Sequence, residues 1–424
     1  EGKLSPSVRI CMIEIISLLS ILIAIIIGIV KNINVGFIAL VFAFFLGTLL
    51  GGLSPNAIIG FWPLNLFFTT VGVTLFFSIA KVNGTLENLS TTIIYRSNGS
   101  KIKIQIIFFV LAMGLASIGP GNISAAALLL PIGLAIAYQS NMSLLMMSVL
   151  IIQGSIAGGL SPIAPNGIVA LELARLNNVG ELGLSIYILN MISIIIFSTL
   201  FFLAMKGHKM NGQKTEVRPP SPFTYEQKLT LASILVLIIW VIFGKVHVGF
   251  AGFTLAVALF FFKAGKQQQA VQQVPWTTIL QICGAAVLIS VVGELGGIQM
   301  LTDFLASIMN EWTAVGIMSI LSGAMATFAS AVGVVMPTLI PTTVNLSESL
   351  NSAVSPGVLT ITIAVASHMT TMSPLSVMGA LALGSMPAGV DEKKLFKKMY
   401  VVAFIALAFV SVFLGLLHQL GLIK

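Results

Sequence analysis

Charged residues are scarce in this sequence: Asp, Glu, Lys and Arg make up 8% of the 424 residues, whereas hydrophobic residues make up 57%. Apolar runs of roughly 16 to 24 residues recur along the chain. Examples are ISLLSILIAIIIGIV near the start and AFIALAFVSVFLGLL near the end. Such runs predict membrane-spanning helices rather than core helices of a soluble domain. The first run is too long for the apolar region of a secretory signal peptide, so we expect it to remain as a helix.

Cysteine and histidine are also scarce. The two cysteines, Cys11 and Cys283, stand in apolar surroundings and lack the spacing of a disulfide framework or a metal site. The four histidines are scattered over loops and different spans, so they do not supply the catalytic set of a membrane enzyme. The net charge is +8, but the basic residues lie in short loops, a pattern that orients a membrane protein rather than binding nucleic acid.

Glycine, proline and serine residues repeat along the chain at a single offset of 212 positions. The matching pairs are Pro63 and Pro275, Gly72 and Gly284, Ser78 and Ser290, Gly84 and Gly296, Ser155 and Ser367, Ser161 and Ser373, Pro162 and Pro374, and Gly167 and Gly379. Identities of these residue types in one register predict an internal duplication. We expect a first repeat over residues 1–205, a cytoplasmic linker over 206–227 and a second repeat over 228–424.

Each predicted repeat contains five spans and one further apolar segment that is interrupted near its centre. These segments, at about 104–139 and about 314–346, predict re-entrant helical hairpins, because one straight helix of that length would measure about 50 Å and exceed the bilayer. A second interruption breaks a span in each repeat, at about 143–175 and about 355–385. The interrupting sequences are GGLSPIAPNG and TTMSPLSVMG. The predicted fold is therefore an all-α integral membrane protein.

The basic residues predict how the chain is oriented. An odd number of spans per repeat gives the two repeats opposite orientations in the membrane. With the N-terminus outside, sixteen of the 21 Lys and Arg residues fall in cytoplasmic loops. We therefore expect both termini outside the cell membrane, the first hairpin entering from the cytoplasm and the second from the outside.

The interruptions predict the candidate binding site. Broken helices at mid-membrane free carbonyl oxygens that can coordinate Na+, while the N-termini of half-helices direct N–H groups and positive dipole ends toward an anion. The predicted cation-binding residues are Gly119, Gly121, Asn122, Ser161, Pro162, Asn166, Ser330, Thr370 and Ser373. The predicted substrate-binding residues are Asn122, Ser124, Asn166, Ser330, His368, Thr371 and Ser376, and Thr338 is a further candidate in the second repeat.

Each candidate also has a purely structural interpretation. Asn122 and Ser124 could cap the second hairpin helix, the break at Pro162 could be a kink repaired by neighbouring helices, and the hydroxyl groups could bond back to their own helices. His368 could bind a carboxylate, carry a proton, or simply pack with a backbone partner. No Lys or Arg lies well inside a predicted span. The charge of a dianion would then be met by helix dipoles, hydroxyl groups and co-transported cations.

Three stretches carry a resemblance to a known family. They are INVGFIALVFAFFLGTLLGG, NLFFTTVGVTLFFSIAKVNGTLENL and SIGPGNISAAALLLPIGLAIA, which resemble the malonate/dicarboxylate carrier (MatC) family. The whole chain is similar to the ion-transporter superfamily that includes the divalent-anion/Na+ symporters. Those symporters carry Ser-Asn-Thr triplets at both hairpin tips, whereas this chain has GNIS at 121–124 and SAVG at 330–333.

The resemblance implies secondary active transport of a small carboxylate, coupled to Na+ or H+. It also implies a homodimer in which a transport domain moves like an elevator against a scaffold. A H+-coupled carboxylate carrier or antiporter of the same superfamily stays open, as does a subunit that depends on a separate binding protein. An ion channel could also use broken helices, but it would favour a symmetric pore of repeated subunits over two inverted halves.

Overall fold

A computed structural model describes residues 6–31, 33–95, 99–209, 219–244, 246–327, 329–387 and 390–423. Within these ranges the regular secondary structure is helical throughout. Residues 210–218 of the predicted linker lie outside the described residues, as do residues 1–5 and 424 at the ends of the chain.

The first half of the chain forms helices α1 to α10. They are α1 (Pro6–Lys31), α2 (Val35–Leu49), α3 (Pro55–Gly60), α4 (Leu64–Val82), α5 (Thr85–Tyr95), α6 (Lys101–Ser117), α7 (Gly121–Gln139), α8 (Leu144–Gly159), α9 (Pro165–Leu176) and α10 (Ser185–Ala204). The predicted hairpin corresponds to α6 and α7, and the predicted broken helix to α8 and α9. The short helices α3 and α5 were not predicted from the sequence.

The second half repeats this order in helices α11 to α21. They are α11 (Tyr225–Ile242), α12 (Val248–Phe261), α13 (Gln267–Gln273), α14 (Trp276–Glu294), α15 (Gly297–Ile308), α16 (Ala314–Ala326), α17 (Met336–Leu339), α18 (Thr343–Ser349), α19 (Pro356–Met369), α20 (Val377–Gly384) and α21 (Glu392–Gln419). The arm that corresponds to α7 is divided here by a π-helical turn at Ala331–Val335 and a 3₁₀ turn at Ile340–Thr342. A further 3₁₀ turn, Thr370–Met372, follows α19.

Many of the helices are membrane-spanning candidates. In the described ranges, seven segments are long and apolar enough to cross a bilayer: Cys11–Gly28, Leu64–Val82, Gly121–Gln139, Ser185–Ala204, Trp276–Glu294, Pro356–Gly384 and Lys393–Gln419. Helices α2, α8, α12 and α16 are shorter but also apolar. The chain is therefore a multi-pass membrane protein. The positions of its termini relative to the membrane stay a prediction.

Serine residues at equivalent positions begin the two broken helices. The Ser143 hydroxyl oxygen accepts a hydrogen bond of 3.2 Å from the Met146 N–H at the start of α8. The Ser355 hydroxyl oxygen accepts one of 3.3 Å from the Val358 N–H at the start of α19. Ser143 and Ser355 are 212 positions apart, and so are Met146 and Val358. The same capping interaction therefore fixes the beginning of each broken helix.

Glycines allow two pairs of helices to cross in close contact, α2 on α14 and α4 on α12. A Cβ atom on Gly284 would overlap the Gly36 carbonyl oxygen, and a Cβ atom on Gly72 would overlap the Gly249 carbonyl oxygen. Gly36 and Gly249 hold matching positions in the two halves, and so do Gly72 and Gly284. Each crossing is thus the reciprocal of the other, which is the arrangement that a two-fold axis produces.

The helices divide into two groups. The outer group contains α1 to α4 and α11 to α15, and its centre is the pair of glycine crossings; α5 lies between the two groups and contacts α4, α6 and α11. The core group contains α6 to α10 and α16 to α21, in which α8 packs on α6, α7 and α10, and α19 packs on α16 and α21. The groups meet where α9 contacts α4 and where the second hairpin contacts α14 and α15. The broken helices lie entirely in the core group.

The glycine crossings predict a stability difference between two alanine substitutions. Gly72→Ala places a methyl group against a backbone carbonyl that cannot rotate away, so we expect a loss of roughly 1–3 kcal/mol of unfolding free energy. Gly114→Ala, in α6, meets nothing within 4 Å and gains helix propensity. Thermal unfolding of the purified protein in detergent measures both effects. Equal midpoints for the two variants would contradict the packing described for α4 and α12.

Candidate functional site

A tight turn joins α8 to α9, the two parts of the first broken helix. The Ser161 N–H donates to the Gly158 carbonyl at 3.1 Å, and the Ala164 N–H donates to the Ser161 carbonyl at 2.9 Å. Gly167, in the first turn of α9, packs directly on this turn, because a Cβ atom there would overlap the Ser161 carbonyl oxygen. The break is therefore an ordered turn with its own hydrogen bonds.

The second broken helix contains the same turn. The Ser373 N–H donates to the Thr370 carbonyl at 3.0 Å, and the Ser376 N–H donates to the Ser373 carbonyl at 2.9 Å. A Cβ atom on Gly379 would overlap the Ser373 carbonyl oxygen. Every one of these residues is 212 positions from its counterpart in the first break. The sequence register that suggested a duplication thus corresponds to one turn geometry, built twice.

Three predicted residues meet in a buried polar cluster. The Asn166 Nδ2 atom lies 3.1 Å from the Asn122 Oδ1 atom and 2.9 Å from the His368 Nε2 atom. The exposed fractions of Asn122, Asn166 and His368 are 5%, 8% and 0%. This Asn122–Asn166–His368 cluster connects the tip of the first hairpin, the first break and α19. Asn166 thereby contacts two side chains that are distant in the sequence, Asn122 at 44 positions and His368 at 202 positions.

Glycines at the first hairpin tip place Asn122 in the cluster. Gly119 and Gly121 have φ angles of 132° and 78°, a region that only glycine adopts readily. A Cβ atom on Gly119 would overlap the Phe77 ring, and one on Gly121 would lie 3.0 Å from the Cδ atom of Pro165. The close approach brings the N-terminus of α7 to the N-terminus of α9. Two positive helix ends therefore meet at this point.

Several predicted hydroxyl groups bond back to nearby backbone. The Thr371 hydroxyl donates to the His368 carbonyl at 2.6 Å, and the Thr338 hydroxyl donates to the Val334 carbonyl at 2.7 Å. The Ser376 hydroxyl contacts the carbonyls of Thr371 and Ser373. These bonds use the hydroxyl hydrogens, so the hydroxyls face a ligand only with their oxygen lone pairs. Lone pairs can coordinate a cation, but they cannot donate to a carboxylate.

Ser124 and Ser330 are not hydrogen-bonded to the cluster. The Ser330 hydroxyl oxygen accepts a bond of 3.0 Å from the Gly333 N–H and begins the π-helical turn. Ser124 lines a different cavity, together with Lys81. No hydrogen bond among the described residues joins either serine to Asn122, Asn166 or His368. Their assignment as ligands stays a prediction.

Two cavities lie at the boundary between the outer and core groups. The larger, of about 490 Å³, is lined by parts of α4, α9 and α14 and by Pro337 and Pro341 of the second hairpin. The smaller, of about 230 Å³, is lined by parts of α4, α5 and α7 and by Gln273 and Pro275. Ser290 in the larger cavity and Ser78 in the smaller one are counterparts. Neither cavity is lined by Asn122, Asn166 or His368.

Comparison with known proteins finds one family model and a similar solved structure. Residues 11–159, which extend from α1 to the end of α8, match the model of the dicarboxylate carrier protein MatC N-terminus. Over this segment the chain resembles MatC. The crystal structure of the YdaH transporter from Alcanivorax borkumensis has a similar fold, with a TM-score of 0.57, 13% sequence identity, and coverage of 86% of this chain and 88% of that chain. No curated protein matches the sequence.

The MatC match includes Asn122 but ends before the first break. Gly119, Gly121 and Ser124 therefore also lie in the matched segment, whereas Asn166 and His368 lie beyond it. The cluster thus combines a side chain from the MatC-like segment with two from the rest of the chain. The resemblance predicted from the sequence is confirmed for residues 11–159.

Gln153 was missed by the sequence analysis. Its side chain is fully buried in α8, and its Nε2 atom donates to the Met369 carbonyl at 3.3 Å. Its Oε1 atom has no hydrogen-bond partner among the described residues. The sequence feature that could have identified Gln153 is an amide side chain within the apolar run VLIIQGSI. Polar side chains inside membrane spans are energetically costly, so such a residue indicates a specific role. Gln153 forms a second connection between the two broken helices.

A polar group at the larger cavity was also missed. Arg175 donates to both carboxylate oxygens of Glu172, over 2.7 and 3.0 Å. Asn65 lines the same cavity and bonds to His247, with 3.0 Å between its Oδ1 atom and the Nε2 atom of the imidazole. The cavity therefore has a polar wall at the place where α9 meets α4.

The second break predicts different roles for two buried threonines. The Thr370 hydroxyl donates at 2.8 Å to the Gly323 carbonyl of α16, whereas the Thr362 hydroxyl donates only to the Val358 carbonyl of its own helix, at 2.7 Å. We expect Thr370→Val to lower the unfolding free energy by about 0.5–1.5 kcal/mol, and Thr362→Val to leave it nearly unchanged. Chemical or thermal unfolding in detergent measures the difference. A larger loss for Thr362→Val would show that Thr370 does not hold the break against α16.

Proposed function

We propose that the protein is a secondary active transporter of a small carboxylate anion, of the malonate or C4-dicarboxylate class, and that it is a Na+ symporter. The observation that carries the proposal is the Asn122–Asn166–His368 cluster. It joins a hairpin tip and both broken helices in a chain whose residues 11–159 match a dicarboxylate carrier. The cluster is the point where these features coincide.

The chemistry of the cluster suits a carboxylate with an accompanying cation. Between them, Asn122 and Asn166 offer an amide N–H₂ group, which can donate to a carboxylate, and a carbonyl oxygen, which can coordinate Na+. The N-termini of α7 and α9 add uncommitted N–H groups and positive dipole ends. These partial charges are smaller than the full charges of a dianion. The proposed Na+ ions would supply the remaining positive charge.

The division into two helix groups supports an elevator mechanism. In this proposal the core group carries the ligands and moves against the outer group, which forms the interface of a homodimer in the cell membrane. The reciprocal glycine crossings support two repeats related by a two-fold axis in the membrane plane. Both cavities lie on the boundary across which the movement would occur.

Transport assays test the proposed function. We expect proteoliposomes that contain the purified protein to take up labelled malonate or succinate when an inward Na+ gradient is applied at fixed pH and membrane potential. Asn122→Ala and Asn166→Ala should each reduce Na+-dependent uptake by roughly 10- to 100-fold, the effect of removing a hydrogen bond to a charged ligand. Asn190→Ala removes a buried amide that bonds only to carbonyls of α8 and serves as the matched control.

The outcomes of this assay separate the candidate functions. Uptake driven by a proton gradient alone would replace Na+ symport with H+ coupling. A conductance far above carrier turnover would indicate a channel. Normal uptake by both asparagine variants would remove the cluster from the binding site, and no uptake of either acid under any gradient would remove the dicarboxylate assignment.

Cysteine labelling tests the proposed orientation of the two halves. Asn65 lines the larger cavity and Gln273 lines the smaller one, and both are exposed. In a background that lacks Cys11 and Cys283, a membrane-impermeant maleimide should label Asn65→Cys in intact cells and Gln273→Cys only in inside-out vesicles. Labelling of both positions from the same side would contradict the inverted orientation.

A further inference from the structure

The hydrogen bonds of the cluster fix the tautomer of His368. Its Nδ1 atom lies 2.9 Å from the Ala364 carbonyl oxygen, and a carbonyl oxygen can only accept. Nδ1 therefore carries the hydrogen, and in the neutral imidazole the Nε2 atom is an acceptor. The partner of Nε2 is the Asn166 Nδ2 atom at 2.9 Å. The imidazole thus requires the amino group of the Asn166 amide to face it.

The orientation of the Asn122 amide, at the other end of the cluster, is fixed in the same way. The Ile123 N–H can only donate, and it donates to the Asn122 Oδ1 atom at 2.9 Å. The same oxygen accepts from the Asn166 Nδ2 atom at 3.1 Å. Both hydrogens of the Asn166 amino group are therefore committed, one to His368 and one to Asn122. The orientations of the Asn122 and Asn166 amides therefore follow from the two ends of the cluster. At one end the Ala364 carbonyl can only accept, and at the other the Ile123 N–H can only donate.

Two polar groups remain uncommitted in this arrangement. No hydrogen bond among the described residues uses the Asn166 Oδ1 atom or the Asn122 Nδ2 atom. Asn166 and Asn122 keep exposed fractions of 8% and 5%, whereas His368 is fully enclosed. The cluster therefore offers one carbonyl oxygen and one amino group, from two different residues. A cation needs the first type of group and a carboxylate needs the second.

We propose that His368 is a positioning residue that sets the polarity of the binding site through Asn166. Polarity here means which polar group faces the cation and which faces the carboxylate. It directs the Asn166 Oδ1 atom to the co-transported cation and leaves the Asn122 Nδ2 atom to the substrate carboxylate. His368 itself touches neither ligand. This inference rests on the proposed function, and it differs from the sequence-based prediction that His368 binds substrate. Without the Nε2 acceptor, only the Asn122 Oδ1 atom holds the Asn166 amide in this orientation, so the amide can rotate more readily and present its amino group to the cation.

Na+-dependent thermal stabilisation of the purified protein tests the positioning role. We expect His368→Leu, which removes the acceptor, to raise the Na+ concentration for half-maximal stabilisation about tenfold or more, the effect of one misplaced polar ligand group. His368→Gln restores an acceptor at the same distance along the side chain, and it should recover the Na+ response to within about threefold. Asn190→Ala is the matched control for loss of a buried polar side chain. It should lower the melting temperature without changing the Na+ concentration required.

Asn122→Asp tests the same assignment without removing a side chain. The carboxylate keeps the acceptor for the Ile123 N–H and for Asn166, so the cluster stays intact, but the uncommitted amino group becomes an oxygen. We expect malonate or succinate to bind at least about tenfold more weakly while the Na+ concentration for half-maximal stabilisation stays the same or falls. If His368→Leu does not fold, this variant still tests the assignment of the Asn122 amino group to the substrate.

The results distinguish this inference from the proposed function. If the wild-type protein shows no response to Na+, then Na+ coupling is wrong, and the cation role of Asn166 is wrong with it. If the wild type responds and His368→Leu responds equally, only the positioning role is overturned. Equal losses for His368→Leu and His368→Gln would also overturn it, because an acceptor at that position would then not matter. Unchanged carboxylate binding by Asn122→Asp would overturn the assignment of its amino group.

Discussion

Backbone that leaves the α-helix inside a membrane must find hydrogen-bond partners without water, and the rest of this structure depends on how it does so. Each break closes into a short turn with two backbone hydrogen bonds of its own, and Gly167 or Gly379 then packs the next half-helix directly against it. Hydroxyl groups such as Thr371 bind further carbonyls. The Asn166 Oδ1 and Asn122 Nδ2 atoms take no part in these bonds. They are the groups that we propose for ligand binding.

The same requirement explains why the halves are joined by specific contacts between broken helices. The Gln153 amide bonds to the Met369 carbonyl, and Asn166 bonds to His368, so each break is stabilised by side chains or backbone from the other half. Neither half could complete its polar interactions alone. In the outer group the halves are joined differently, by glycines that let backbones touch. Polar contacts thus unite the core group, and close packing unites the outer group.

The sequence predicted the features that depend on local chemistry. The breaks, the hairpins and the 212-residue register follow from Gly, Pro and Ser, because these residues determine backbone conformation where they stand. Contacts that depend on tertiary placement were not predictable. His368 corresponds to Ile156 in the first half, so the repeat gave no indication of its partner. Ser124 was grouped with Asn122, yet residues two positions apart on a helix point roughly 200° apart, and Ser124 faces another cavity.

The unequal cavities bear on the proposed transport mechanism. Ser78 and Ser290 are counterparts, but they line cavities of about 230 and 490 Å³. The two equivalent boundaries between the helix groups therefore differ in cavity size. In the proposed mechanism, an exchange of conformations between the halves would place the larger cavity at the other boundary, while the Asn122–Asn166–His368 cluster would keep its internal bonds. In that proposed mechanism, a site whose polarity is fixed within the core group would carry a cation and an anion together, because no ligand contact would have to be rebuilt during the movement.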